Sequence, residues 1–268
     1  MLPLSTAYQK AIEAAIAASE AILSIYQQDF GVIKKQDGSP VTAADLAASE
    51  QIDRILRPLG IPITGEETEK MPFEARKHWQ QCWCIDPLDG TKEFVKRNDE
   101  FAVNIALIEN GQPKFGLIAA PVNQEIIIGS KETGVYIFSF NDAEQPKKWR
   151  KIESVLRCND PLIMACSRSH HSGSVLNFIN DLKTKGHDVD FIKKGSALKF
   201  FDLAQGKADV YPRYAPTMEW DIAAGQAILE ALGGSVVHAE TGAALCYNKA
   251  NLVNPYFIAR TAFFSEKD

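Results

Sequence analysis

The stretch Trp83-Cys84-Ile85-Asp86-Pro87-Leu88-Asp89-Gly90-Thr91 limits the fold of this chain more than any other. It begins as an apolar strand that must be buried. It ends in two carboxylates three residues apart. Pro87 fixes its own φ and holds Asp86 extended. Gly90 permits a tight turn and close backbone approach. Thr91 adds a hydroxyl and opens a possible helix N-terminus, where outward N–H groups favour an anion. Carboxylates beside an anion site repel each other and the anion, and cations resolve that conflict. Oxygen donors select a hard ion, so Mg²⁺ comes before zinc. The competing reading of D-x-x-D-G is a polar turn after a strand.

Two more acidic elements bear on that choice. Thr64-Gly65-Glu66-Glu67 ends another strand with a glycine and paired carboxylates, and Trp220-Asp221 starts an apolar helix, Ile222-Ala223-Ala224. Each has a plainer reading. Glu67 and Glu69 can belong to a solvated loop, and Asp221 can be an N-cap. If Glu66, Asp86, Asp89 and Asp221 converge, each pair of charges ~4.5 Å apart costs roughly 3–4 kcal/mol at an effective dielectric of 20. Several such pairs rival the whole stability of a domain, ~5–15 kcal/mol. The site must then hold metal, or some carboxylates must be protonated when it is empty.

Around these motifs the chain changes texture twice. Tyr8, Ala11, Ile12, Ala15, Ile16, Ser19, Ile22, Leu23 and Tyr26 repeat at helical spacing, with Gly31 past the end. A loop with Gly38 and Pro40 leads to a second helix, from near Thr42 to Arg57, stopped by Pro58 and Gly60. Strands follow at 61–64, 83–85, 101–108, 114–119, 125–128 and 135–138, with an Asn110-Gly111 hairpin turn. The polar segment 141–151 reads as an exposed connection. The second half alternates: strand 162–166, helix 174–183, strand 189–192, helix 198–204, strand 209–211, helix 221–232 with Gly233 as its stop, and strand 235–238. The best boundary lies near Cys158, with no flexible linker.

Composition closes off other classes. Of the 268 residues 46% are hydrophobic and 24% charged, which excludes a disordered or collagen-like chain. The formal net charge of -5 disfavours a nucleic-acid polymer as partner but permits a small anionic substrate. Five scattered cysteines make no disulfide framework, and Cys82 and Cys84 share a strand face, where core packing is the plain reading. No secretory signal and no integral membrane segment is legible, so a cytoplasmic chain is expected, with peripheral attachment to the inner membrane left open.

D-P-L-D-G-T at Asp86 to Thr91, G-E-E at Gly65 to Glu67 and W-D-x-A-A-G at Trp220 to Gly225 occur in the order of the inositol monophosphatase superfamily, which the chain resembles from its first helix to Phe257. Its members are metal-dependent, lithium-sensitive phosphatases. Within it the chain looks most like the CysQ-type 3′(2′),5′-bisphosphate nucleotidase branch. Thr91-Lys92-Glu93-Phe94 is typical there, and Gly195-Ser196-Ala197-Leu198-Lys199-Phe200, followed by Gly206-Lys207-Ala208-Asp209-Val210-Tyr211-Pro212-Arg213, resembles its nucleotide-binding segment. Ser167-Arg168-Ser169-His170 is a weaker likeness. Ala197 stands where a serine is common, and Phe201-Asp202 departs from the usual pair.

The resemblance implies a mixed α/β fold, a layered α-β-α-β-α sandwich of two intimately packed lobes. Residues 1–158 would carry most metal ligands, and residues 159–268 Asp221 and the nucleotide-binding segment. Glu66, Asp86, Asp89 and Asp221 would hold two or three Mg²⁺ ions, with Asp86 bridging, completed by the Leu88 carbonyl and the Thr91 hydroxyl. Glu66 would also orient the attacking water. Gly90 and Thr91 would offer N–H groups to the phosphate. Asp45 would pair with Thr91 and assist water activation, although Thr42-x-x-Asp45 is equally a capping box. Ser196, Lys199 and Arg213 would face the second phosphate or the nucleoside, against a plain reading as a solvated helix face and strand end. His170 and His171 would touch the nucleotide, and with no third ligand beside them they are assigned no metal role.

The implied reaction is removal of the 3′-phosphate from adenosine 3′,5′-bisphosphate, giving AMP, with 3′-phosphoadenylyl sulfate as a second substrate and a link to sulfate assimilation. No covalent phosphoenzyme is needed. An inositol or sugar phosphate phosphatase on the same machinery is the enzyme alternative, and a metal- or nucleotide-sensing regulator the non-enzyme one. The expected assembly is a monomer or homodimer.

Overall fold

A computed structural model describes residues 4–28, 31–34, 40–167 and 173–267 of the chain. Helix α1 (Thr6–Tyr26) is capped by the Ser5 hydroxyl, which accepts from the Tyr8 N–H. A hairpin of β1 (Val32–Lys34) and β2 (Pro40–Thr42) runs into α2 (Ala43–Leu56). A 3-10 turn, Arg57–Leu59, then ends at Gly60, whose φ of 70° completes the predicted stop.

The next elements are β3 (Ile63–Gly65), α3 (Phe73–Arg76), β4 (Gln81–Asp89), α4 (Thr91–Val95), β5 (Ala102–Glu109), β6 (Gln112–Ala120), β7 (Glu125–Ser130), β8 (Gly134–Ser139) and β9 (Arg150–Ile152). Their seven strands form one sheet in sequence order, with β3 parallel to β4 and every other pair antiparallel. After it come β10 (Leu162–Cys166), α5 (Gly173–Thr184), β11 (Val189–Lys193), α6 (Leu198–Ala204), β12 (Val210–Arg213), α7 (Glu219–Ala231), β13 (Ser235–His238), β14 (Phe257–Arg260) and α8 (Ala262–Lys267). These five strands pair in the order β11-β10-β12-β14-β13.

Alternate residues of the large sheet enter two different cores. Trp83, Ile85, Val103, Ile105, Phe115 and Leu117 pack with α1 and α2. Cys82, Cys84, Ala102, Ala106 and Ile118 pack on the opposite face, against α6 and α7. Both faces are covered, which explains why these strands read as unbroken apolar runs. The small sheet closes over the other side of α6 and α7 through Tyr211, Val236, Phe257 and Ala259, and its outer face carries α5 and Phe264 of α8. The layers are therefore α-β-α-β-α, as expected. Each fully buried large side chain, such as Trp83 or Phe115, contributes roughly 1.5–3 kcal/mol.

Cys82 and Cys84 are buried free thiols on the face toward α7, and burial pushes the Cys82 thiol up to about 12. Helix α7 comes so near β6 that a Cβ on Gly116 would lie 2.1 Å from the Ala224 carbonyl oxygen. The large sheet ends at Ile152 and the small one begins at Leu162, with Cys158 between them.

The expectation for 141–151 needs correction. Arg150–Ile152 adds β9 to the sheet edge, and Trp149 is buried, stacked on Phe138 with ring centroids 4.0 Å apart. Its indole N–H donates to the Asp142 carbonyl at 2.8 Å. The aromatic outweighs the charges around it. The β1–β2 hairpin, α3, β14 and α8 were not expected from the sequence, and Gly38 lies outside the described residues. Among the described residues no helix is long and apolar enough to cross a membrane.

Candidate active site

The strand β4 continues through the acidic motif and bulges there. Asp86 pairs with Asn104 and Asp89 with Ala102, so Pro87 and Leu88 together oppose Val103. Residues three apart on a regular strand face opposite ways. The extra residue restores the parity. Leu88 goes into the α1/α2 core, while Asp86 and Asp89 both face the α7 side.

Glu66 arrives from the neighbouring strand. Its N–H donates to the Ile85 carbonyl at 3.1 Å. The preceding Gly65 runs so close to β4 that a Cβ there would sit 2.3 Å from the same oxygen. Asp221 comes from the third position of α7. Met218, not Asp221, is the N-cap residue, and the Asp221 carboxylate reaches back to accept from the Met218 N–H at 2.9 Å. The N-cap reading of Asp221 is thus corrected, since one of its oxygens serves the helix start and the group still reaches the cluster.

Glu66, Asp86 and Asp221 bring carboxylate oxygens within 4.8 Å of one another. Burial pushes Asp86 well above the usual carboxylate range, and the charges of Glu66, Asp89 and Asp221 push the same way. Asp221 is pushed up to about 8, first by burial and then by Asp89. Among the described residues, no basic side chain forms an ion pair with Asp86 or Asp221. Three carboxylate oxygens this close together, with Asp86 buried among them, are the donor set of a hard cation, and the residues present fit a metal centre. Asp89 lies beside this trio rather than within it. One oxygen accepts from the Ala197 N–H at 2.5 Å and from Asn104 Nδ2 at 3.3 Å. Burial raises it to about 6, while Lys199 and these two donors pull it down.

Thr91 joins the motif to α2. Its hydroxyl lies 2.9 Å from Asp45 Oδ1 and 3.3 Å from the Leu88 carbonyl oxygen. Asp45 Oδ2 accepts from both the N–H and the hydroxyl of Thr42 at 2.7 Å. The contact with Thr91 and the capping box are both present, one on each carboxylate oxygen. Burial, with the charge of Glu67, holds Asp45 above its ordinary value against the pull of these hydrogen bonds. Gly90 takes a φ of 96° before the five-residue α4.

A cleft of ≈ 210 Å³ runs from these groups, lined by Asp89, Gly90, Ser196, Lys199, Arg213 and Asp221 among others. Lys199 is not on a solvated face, because it is 3% exposed and donates to the Ser196 carbonyl at 2.6 Å and the Lys194 carbonyl at 3.2 Å. Burial pushes its ammonium down to about 8, opposed by Asp89 and reinforced by Arg213. Arg213 is half-buried and donates to the Ser167 hydroxyl at 2.6 Å. Its buried Nε has no partner among the described residues. Ser196 holds a φ of 47°. His170 and His171 lie outside the described residues. A larger cavity, ≈ 710 Å³, opens near Arg150, Arg157 and Gly206 and contains none of the acidic groups.

Sequence reasoning missed Asn104, which is fully buried and lies 3.3 Å from Asp89 and 3.4 Å from the Trp220 carbonyl. A lone amide inside the apolar run 101–108 was the available signal.

The sequence model of the inositol monophosphatase family matches residues 4–261. The chain is 40% identical over 250 residues to the 3′(2′),5′-bisphosphate nucleotidase CysQ of Salmonella typhimurium, covering 90% of this chain and 94% of that one. Its fold matches the crystal structure of CysQ from Bacteroides thetaiotaomicron, a bacterial member of the inositol monophosphatase family, with a TM-score of 0.86, 41% identity and coverage of 98% and 99%. The extragenic suppressor protein suhB from Bartonella henselae shares the fold at a TM-score of 0.76 and 24% identity, over 96% of this chain and 94% of that one.

Proposed function

The chain belongs to the inositol monophosphatase family, and from that premise we propose that it is a metal-dependent 3′(2′),5′-bisphosphate nucleotidase, releasing the 3′-phosphate of adenosine 3′,5′-bisphosphate and acting also on 3′-phosphoadenylyl sulfate. The observation that carries this reading is the meeting of Glu66, Asp86 and Asp221, from three distant segments, in one cluster of carboxylates. The curated relatives that share about two-fifths of its residues are nucleotidases by name.

The proposed metal is Mg²⁺, two or three ions, held by Glu66, Asp86, Asp89 and Asp221 with the Leu88 carbonyl and the Thr91 hydroxyl. Bound there, it supplies Lewis-acid stabilisation of phosphoryl charge and acidifies water. The chain's own groups do the rest. Glu66 orients the attacking water. Thr91 hands a proton to Asp45, whose burial makes it the stronger base. Backbone N–H groups of Gly90 and Thr91 bind the departing phosphate. Arg213, with Ser167 on one guanidinium nitrogen, grips the second phosphate, and Ser196 lines its path. The Lys199 ammonium donates to two backbone carbonyls, so it acts on the cleft through its charge, opposing Asp89. The proposed setting is the cytoplasm, in keeping with five free cysteines, and the proposed assembly a monomer or homodimer.

Phosphate release from adenosine 3′,5′-bisphosphate and from inositol 1-phosphate, measured side by side in Mg²⁺, tests the reading. The nucleotide is the expected preferred substrate. A tenfold or greater preference for inositol phosphate would overturn the assignment.

A further inference from the structure

Lys70 lies on the segment between β3 and α3, outside the carboxylate cluster, yet it touches both sides of it. Its ammonium donates to the carbonyls of Gly65 and Glu66, the latter at 2.5 Å, and to that of Thr68 at 3.1 Å. The same nitrogen stands 4.7 Å from the centre of the Trp220 ring. The Gly65 and Glu66 carbonyls turned toward one cation fix the peptide planes on either side of Glu66. The ring is the side chain next to Asp221. One lysine therefore links the backbone that aims Glu66 to the residue beside Asp221.

We infer that Lys70 is a positioning residue for the metal centre, a surface cation whose carbonyl and ring contacts set the distance between Glu66 and Asp221. The inference rests on the metal-site reading above. The far end of the same segment is anchored independently. Arg76 is buried and donates to the Met71 carbonyl at 2.9 Å, to Asn248 Oδ1 at 2.6 Å and to the Lys249 carbonyl at 3.0 Å. Lys70 is accordingly not what holds the segment to the protein, and its effect is local to the two carboxylates.

The sign of one measurement separates positioning from plain charge. A lysine that is merely a nearby positive charge repels a divalent cation, so removing it strengthens metal binding. A lysine that sets the ligand geometry weakens binding when removed. Direct titration of the full chain with Mn²⁺, by calorimetry and by the resonance signal of free Mn²⁺, reads this without turnover. Lys70→Met is expected to weaken Mn²⁺ affinity about three- to tenfold, the scale of a cation–π contact and its carbonyl bonds. Lys70→Arg, which keeps the cation and the ring contact, is expected to restore affinity to within about twofold of the wild type. Melting curves in a chelator should be alike for all three proteins. Unchanged or tighter binding by Lys70→Met overturns the inference while leaving the metal centre intact. A wild type that binds no Mn²⁺ overturns both.

Discussion

The Thr91 hydroxyl and the Asp45 carboxylate, 46 residues apart in sequence, lie 2.9 Å apart in the core of the protein. The second oxygen of Asp45 completes the cap of α2. One side chain thus serves a helix terminus and the Thr91 hydroxyl at once.

Those two duties can be separated. Thr42→Ala removes the cap and should cost about 1 kcal/mol of stability, with kcat little changed. Asp45→Ala removes both and should also lower kcat by roughly 10²–10⁴-fold. Denaturation curves together with initial rates decide it. Equal kcat in the two variants would show that Asp45 only caps.

The acidic cluster predicts an unusual pH dependence for the metal-free protein. The folded chain holds Asp221 at about 8 and Asp89 at about 6, against an ordinary 3.8. It therefore keeps protons that the unfolded chain has already lost. Stability is greatest below pH 3.8 as far as these groups are concerned, and it drains away as pH rises toward 8. The total is of order a few kcal/mol. Urea denaturation in a chelator at pH 5 and pH 8 should show the loss, and saturating Mg²⁺ should reverse it. Asp221→Asn should flatten the slope and raise metal-free stability while abolishing turnover. A metal-free protein that is more stable at pH 8 than at pH 5 contradicts this account.

Gly65→Ala should damage the site more than the fold. The added methyl meets the Ile85 carbonyl at 2.3 Å, so β3 must shift away from β4 and carry Glu66 with it. A loss of about 1–3 kcal/mol is expected, along with Mn²⁺ binding weakened well beyond what that destabilisation alone explains. Calorimetric titration at a temperature where the variant is fully folded checks it.

Much of this could be read beforehand. Helix α1 was legible from the spacing of its one buried face, and strand β10 and helix α6 to the residue, as short apolar runs buried almost throughout. The acidic motifs announced themselves because carboxylates at the ends of apolar strands need a reason. The bulge at Pro87 and Leu88 was not legible, since nothing in a strand's composition reveals which residue its partner skips. Nor was the burial of Lys199, whose fate depends on carbonyls supplied by a loop. β14 hid because Phe257–Arg260 is a short run whose pairing partners, β12 and β13, lie far off in sequence.

Helix α7 is wedged between two sheets, against β4 to β8 on one side and β13 and β14 on the other, with Gly116 letting it sink to backbone contact. A rod clamped in that way cannot swing, so Asp221 has no hinge on which to open or close. The ion cradle is set when the chain folds rather than when a ligand arrives.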